Sequence, residues 1–378
     1  MADIFIVSDN IVSPVGNSSA ENFSNLKKAV TGVKIQHDAA LSEQTFCASL
    51  FQKNEPFAAD ATNLTYTKFE RLLIVSISDA LKGAGIDCRN KKTVLIISST
   101  KGNISLLETE APGAELNKRI ALHTSAQLVA DYFHFVEKPV VVSNACISGL
   151  LALLIGKRLI DSGQYENVVV AGADVISKFV LAGFQSFQAV SSEPCKPFDM
   201  ERNGINLGEG AATIILSSNQ KLFDKHIQLA GGSVSNDANH ISGPSRTGEE
   251  LCQAIRNAFR EAGVLATDID FISAHGTATV YNDEMEAKAI TLAGMQSVPV
   301  NSLKGYYGHT LGAAGLIESV ISIHSLKEGL VLPSPGFNKL GVTKPVNICS
   351  TLQTGSFSNC LKTASGFGGC NAAVVFSK

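Results

Sequence analysis

Cys146 stands in Val142-Ser-Asn-Ala-Cys-Ile-Ser-Gly-Leu150, where a Val-rich run gives way to small residues and then to an apolar, helix-length stretch. A cysteine at such a junction sits at a helix N-terminus. Unpaired N–H groups and the positive end of the helix dipole favour the thiolate there. The same donors suit an oxyanion formed when sulfur attacks a thioester. Inert packing is the other reading of a cysteine in apolar surroundings. His275, in Phe271-Ile-Ser-Ala-His-Gly-Thr-Ala-Thr279, ends a second apolar run, and Thr277 and Thr279 offer hydroxyls to a polar ligand arm. Lys304 and His309 flank a loop in Val300-Asn-Ser-Leu-Lys-Gly-Tyr-Tyr-Gly-His-Thr-Leu-Gly-Ala-Ala-Gly-Leu-Ile-Glu318. If Lys304 is buried it needs a carboxylate, and Glu318, Asp283 and Glu286 are the candidates. In Thr363-Ala-Ser-Gly-Phe-Gly-Gly-Cys-Asn371, glycines let backbone approach a ligand, and Phe367 either gates a pocket or fills the core. A thiol and two imidazoles suit acyl-thioester chemistry: sulfur takes an acyl group and the imidazoles polarise a carbonyl towards an enolate.

These groups must be held by the elements around them. Short Val- and Ile-rich runs read as strands buried on both faces: 93–97, 140–143, 167–171, 212–216, 269–273, 298–301 and 372–376. Helix-length segments lie at 69–83, 147–162, 248–263, 283–293 and 311–328. The alternation argues α/β. Residues 207–217 echo 367–377, each a glycine turn feeding an apolar strand that ends in Ser. Residues 140–162 and 298–328 each read as strand, small-residue turn and apolar helix. Two related halves, 1–222 with the cysteine and 223–378 with the histidines, are expected to pack together.

The chain has 378 residues, 45% hydrophobic and 17% charged, with a net charge of −3. Disorder and a basic nucleic-acid-binding surface are excluded. None of the eight cysteines forms a CxxC pair, which argues against zinc or thioredoxin-type chemistry. No apolar stretch is long enough to span a bilayer, and Met1–Asn10 has no basic residue before its apolar run. The expectation is a cytoplasmic protein with reduced thiols and no metal.

Over nearly its whole length the sequence resembles the elongating β-ketoacyl-acyl-carrier-protein synthases of the thiolase fold. The resemblance rests on the Cys146 block, His275-Gly-Thr, Lys304 with Gly308-His309, and Gly366-Phe-Gly-Gly369, in family order. Residues 11–17, 196–210 and 236–244 add to it. It implies a layered αβαβα arrangement. Cys146 matches the acylated nucleophile. His275 and His309 match the pair that acts on malonyl thioester, and Lys304 matches a supporting lysine with Glu318 as its partner. Asp283 and Glu286 match a supporting charged pair, and Thr277 and Thr279 match the holders of the phosphopantetheine arm. Phe367 matches the gate, Gly368 beside it falls among the substrate-binding positions, and the N–H groups of Phe367 and Cys146 would form the oxyanion hole. No separate cofactor is implied, because the pantetheine arrives on an acyl carrier protein.

Departures from the family pattern are Val280 for Pro, Ser365 for Phe and Cys370 for Thr, with a shortened segment between Ser98 and Val140. A degradative thiolase would carry a second cysteine in Cys-x-Gly, which Cys370-Asn-Ala does not provide. An initiating condensing enzyme would have Asn where His309 stands. A non-catalytic chain-length partner would lack the cysteine, and a cysteine hydrolase would leave the second His and Lys304 unexplained. Docking of an acidic carrier is expected at Arg202, with Lys68 and Arg71 as weaker choices. The expected assembly is a homodimer, with a heterodimer containing a chain-length partner as the alternative. Fatty-acid synthesis and a specialised polyketide or polyene pathway both remain open, the shortened segment favouring the second.

Overall fold

The computed structural model describes residues 3–52, 66–222, 227–241 and 243–378. The expected junction between 222 and 223 abuts residues outside that set. Eleven strands form one sheet, in the order Asn347–Ile348, Pro299–Asn301, Phe271–Ser273, Asn359–Gly366, Cys370–Ser377, Gln228–Asn236, Phe5–Val12, Gly210–Ser217, Asn167–Asp174, Thr93–Ser98, Val140–Val142. Its centre is a slender joint in which Phe5 pairs with Gln228. Outward from that joint the two sides repeat each other. Setting aside the edge strand Asn347–Ile348, which only the C-terminal side carries, the first strand of each side in chain order pairs antiparallel with the fifth, and the fifth antiparallel with the fourth. The fourth then pairs parallel with the second, and the second parallel with the third. The two sequence echoes occupy matching places in this order.

Strand alternation sorts the apolar residues into layers. Val94, Ile96, Val168, Val170, Ile214 and Leu216 face one way, into a core shared with Ala372, Val374 and Phe376 of the other side. Leu95, Ile97, Val169 and Ile215 face outward under helix Lys68–Leu81. Val375, Ile272 and Leu361 face outward under helices Glu249–Ala262 and Val280–Leu292. Helices Ser148–Asp161 and Ala314–Glu328 lie within the shared core and contribute Leu150, Leu153, Leu316 and Val320 to it. The layers are therefore helix, sheet, helix, sheet, helix.

The inner helices meet through glycine. A β-carbon on Gly149 would stand 2.9 Å from the Leu316 nitrogen, and one on Gly315 would stand 3.0 Å from the Leu150 nitrogen. Contact this close brings the N-termini of the two helices together, with Cys146 just before one and His309 just before the other.

Sequence reading missed the strands Phe5–Val12, Gln228–Asn236 and Asn359–Gly366 and the helices Ser19–Lys27, Ala114–Ile120, Leu122–Tyr132 and Lys178–Ser186. It also took the strand at 140–143 as covered on both faces. Val140–Val142 is an edge strand whose first two residues are half-exposed.

Candidate active site

Strand Val140–Val142 ends in a tight turn with Ala145 at φ +43°. The Ser148 hydroxyl pins this turn, donating to the Ala145 carbonyl (2.7 Å) and accepting from the Asn144 N–H (2.8 Å). Cys146 is delivered to the floor of a cavity of 710 Å³ that is also lined by His275, His309, Thr277, Thr279 and Phe367. Its sulfur lies 3.0 Å from His309 Nε2. The His275 and His309 rings stand edge to face with centroids 5.2 Å apart.

Each histidine is fixed through its backbone. The His309 N–H donates to the Asn206 carbonyl (2.7 Å), and its own carbonyl accepts from the Gly208 N–H (3.0 Å). A β-carbon on Gly208 would lie 1.9 Å from the Tyr307 carbonyl oxygen, so this strand needs glycine to reach the histidine loop. His275 follows strand Phe271–Ser273, and Glu286 accepts from the N–H groups of His275 and Gly276, both at 2.8 Å. Asp283 accepts from the N–H groups of Thr277 (2.9 Å) and Phe198 (2.7 Å). Neither carboxylate is the partner of Lys304. That partner is Glu318, and the Lys304 ammonium also donates to the His275 carbonyl at 3.0 Å.

The electrostatics depart from the sequence expectation at Cys146. Helix Ser148–Asp161 begins two residues later, and burial, reinforced by nearby Cys370, pushes the thiol up to about 12 despite Lys304 and the Phe367 N–H. The resting group is a thiol, not a stabilised thiolate. Burial, followed by the positive charge of Lys304, holds both imidazoles well below their ordinary value. They are neutral near pH 7. His309 is therefore able to take the thiol proton as sulfur attacks, and neutral rings carrying a proton on Nε2 are able to donate to a developing oxyanion. The sulfur and one nitrogen from each ring lie within 4.8 Å of one another, a donor set that also suits a soft cation. The buried Lys304 ammonium in the same wall opposes a second positive charge.

Other expected residues divide between the site and its supports. Thr277 and Thr279 line the cavity with hydroxyls 2.9 Å apart. Phe367 is 39% exposed and packs on Phe184 and Phe187, so it stands at the entrance and does not fill the core. Gly368, with φ +85°, gives its N–H to the Ile241 carbonyl at 2.7 Å and has none left for substrate. Gly366 is demanded by space, since a β-carbon there would lie 2.9 Å from the Cys146 nitrogen. Arg202 is half-buried, and its guanidinium bonds the Asp199 and Gly341 carbonyls at 2.9 and 2.6 Å. Lys68 pairs with Glu209, and Arg71 donates to the Tyr66 carbonyl. The exposed cation on the cavity rim is Arg246, which sequence reading passed over.

Residues 1–221 match the family model for the β-ketoacyl synthase N-terminal domain, and residues 226–338 match that for its C-terminal domain. The chain belongs to the β-ketoacyl synthase family. It is thus an acyl-transferring condensing enzyme with a thiolase-like fold. It is 27% identical to 3-oxoacyl-[acyl-carrier-protein] synthase 2 of Vibrio cholerae, over 99% of each chain. It is 29% identical to the tetracenomycin polyketide synthase ketoacyl synthase alpha subunit of Streptomyces glaucescens, over 83% of this chain and 82% of that one. Among solved structures, the Xenorhabdus doucetiae ketosynthase ApeO in complex with its chain length factor ApeC superposes with a TM-score of 0.87 at 25% identity, over 100% of this chain and 98% of the other.

Proposed function

We propose that this β-ketoacyl synthase condenses an acyl group held on Cys146 with malonyl thioester on an acyl carrier protein. The 3.0 Å contact between the Cys146 sulfur and His309 Nε2, with His275 beside it in the same cavity, carries the reading. His309 accepts the thiol proton, and sulfur displaces the carrier's thiol to form acyl-Cys146. Malonyl thioester then enters, and His275 and His309 donate to its carbonyl oxygen as carbon dioxide leaves. The enolate carbon attacks the acyl group, whose oxygen faces the N–H groups of Cys146 and Phe367. The C–S bond to Cys146 breaks, the β-keto thioester stays on the carrier, and the freed sulfur takes up a proton to restore the thiol. Lys304 and Glu318 hold the His275 loop, Glu286 and Asp283 fix the backbone around it, and Thr277 and Thr279 take the pantetheine arm. No separate cofactor is needed, since that arm arrives on the carrier.

No helix among the described residues is long and apolar enough to cross a membrane, and we place the reaction in the cytoplasm. The halves 1–222 and 223–378 form one catalytic unit. The chain pairs with a second copy through the Val140–Val142 edge. Retention of Cys146 favours a homodimer over a role as a chain-length partner. Arg246 is the exposed rim cation suited to an acidic carrier, while Arg202 ties two loops. Charge reversal at Arg246 should weaken carrier binding and flatten its salt dependence.

Intact-mass analysis with a panel of acyl carriers tests the reading. One acyl group per chain is expected on the unaltered protein and none on Cys146→Ala. A mass shift retained by the variant would overturn the assignment.

A further inference from the structure

Lys362 occupies a place that strand geometry reserves for an apolar residue. Strand Asn359–Gly366 alternates, with Cys360 and Ala364 in the shared core and Leu361 in the outer one. Lys362 lies on the shared-core side and is fully buried. No motif singled out in the sequence reaches it. A buried ammonium is costly unless it is paired and hydrogen-bonded, and an apolar replacement of similar volume is often as stable or more so. Packing alone therefore gives no reason for a lysine here.

Its contacts do. The Lys362 ammonium donates to the carbonyls of Ser273 (3.0 Å), Ala274 (3.2 Å) and Thr363 (2.8 Å). It lies 2.7 Å from the Glu318 carboxylate. Lys304 meets the other oxygen of the same carboxylate and donates to the next carbonyl, that of His275. Two ammoniums astride one carboxylate thus grip three consecutive carbonyls, 273 to 275. On the N–H side of the same segment, Thr363 donates to Glu286 at 2.6 Å, and Glu286 holds the His275 and Gly276 N–H groups. Residues 362 and 363 secure His275 from both sides of its backbone.

We propose that Lys362 is a second positioning lysine of the condensation site, orienting His275 through the carbonyls before it and offsetting the carboxylates beside both imidazoles. The inference rests on the condensing-enzyme reading for its catalytic consequence. The charged and titratable groups around the ring pair are Lys304, Lys362, Glu318, Glu286, Asp283 and Cys146, with Asp237, His240 and Arg246 further along the cavity wall. The two ammoniums are already offset by the Glu318 and Glu286 carboxylates, so loss of Lys362 makes this wall more negative beside the rings. The downward shift of both imidazoles includes a contribution from Lys362 after those of burial and Lys304.

The test uses the full-length Lys362→Met and Lys362→Arg variants. The imidazole titrations of His275 and His309 are followed by NMR, alongside malonyl-carrier decarboxylation and self-acylation of Cys146. In Lys362→Met both titrations should move to higher pH and the acid limb of decarboxylation should move with them. Decarboxylation should fall tenfold or more, while Cys146 still acylates fully. Lys362→Arg keeps the charge but not the reach to three carbonyls, so its titrations should stay in place while decarboxylation falls. Unmoved titrations together with normal decarboxylation in Lys362→Met would overturn the proposal. If Lys362→Met does not fold, Lys362→Arg decides: normal decarboxylation there refutes positioning, and shifted titrations refute the charge role. An unaltered protein that neither acylates Cys146 nor decarboxylates malonyl-carrier would fail the functional reading instead, and the titrations would still judge Lys362.

Discussion

In the proposed reaction Cys146 and His309 act as a pair in which the proton starts on sulfur. Burial makes the thiolate costly, so attack must be coupled to proton transfer across the 3.0 Å contact. His309→Ala should therefore slow self-acylation as well as decarboxylation. His275→Ala should spare acylation and lower decarboxylation by about a hundredfold to a thousandfold, the usual loss for one oxyanion donor. Rapid-quench assays of the two half-reactions separate these outcomes, and normal acylation in His309→Ala would remove it as the proton acceptor. The imidazoles also shape acid stability. Their folded-state values lie below 6.5, so the unfolded chain binds protons first as pH falls. Stability is complete above about pH 6.5 and declines below it. His275→Ala should remove part of that decline when melting temperature is followed from pH 8 to pH 5. Cys146, both histidines and Lys304, which the fold brings together, were legible because each stands at a chemically distinctive junction. Lys362 was not, because nothing local distinguishes it from a surface lysine, and only strand register puts it in the core.

At the scale of elements, the site depends on how closely the inner helices approach. Gly149→Val would force a branched side chain against the Leu316 backbone. Overpacking of this kind costs about 1–3 kcal/mol, and it should also widen the gap between Cys146 and His309. Denaturant melts and decarboxylation assays should both register the change. Another dependence lies in the stretch between Ser98 and Val140. Its helices are tied to helix Lys68–Leu81 by the buried Glu70, which pairs with Arg119 and accepts from Asn103 at 3.0 Å. Burial alone would raise Glu70, but Arg119 and its other donors bring it down to about 2. That stabilisation is present above about pH 4.5 and is lost as pH falls towards 2. Arg119→Met should cost about 3–5 kcal/mol at pH 7, with the deficit shrinking through that acid window in urea titrations. The strands found from sequence were those with unbroken Val and Ile runs, such as Thr93–Ser98. Gln228–Asn236 was hidden because helix Glu249–Ala262 lies so close that Gly231 has no room for a side chain, and its paired glycines interrupt the apolar run that would mark a strand. Asn359–Gly366 was hidden by its charged residue, whose partners come from distant parts of the chain.

At the scale of the molecule, Val140–Val142 leaves one end of the sheet unpaired among the described residues, with exposed Tyr132 and Val136 nearby. An open edge of this kind invites another strand. Light scattering should find a dimer, and Val141→Lys should shift it towards monomer with loss of activity; a stable, active monomer of the unaltered chain would refute the arrangement. The opposite feature lies at the middle of the sheet. Gln228 pairs with Phe5 on one side and with Ser377 on the other, so Phe5 and Ser377 lie about 10 Å apart across one intervening strand. A linker of about four residues spans that distance. The order of the halves along the gene is therefore separable from their order in space. A circularly permuted protein, opened after Leu222 and closed between Lys378 and Met1, should fold to the same sheet and keep its activity. The same two pieces made as separate polypeptides should regain condensation only when mixed, since each alone would expose its half of the shared core.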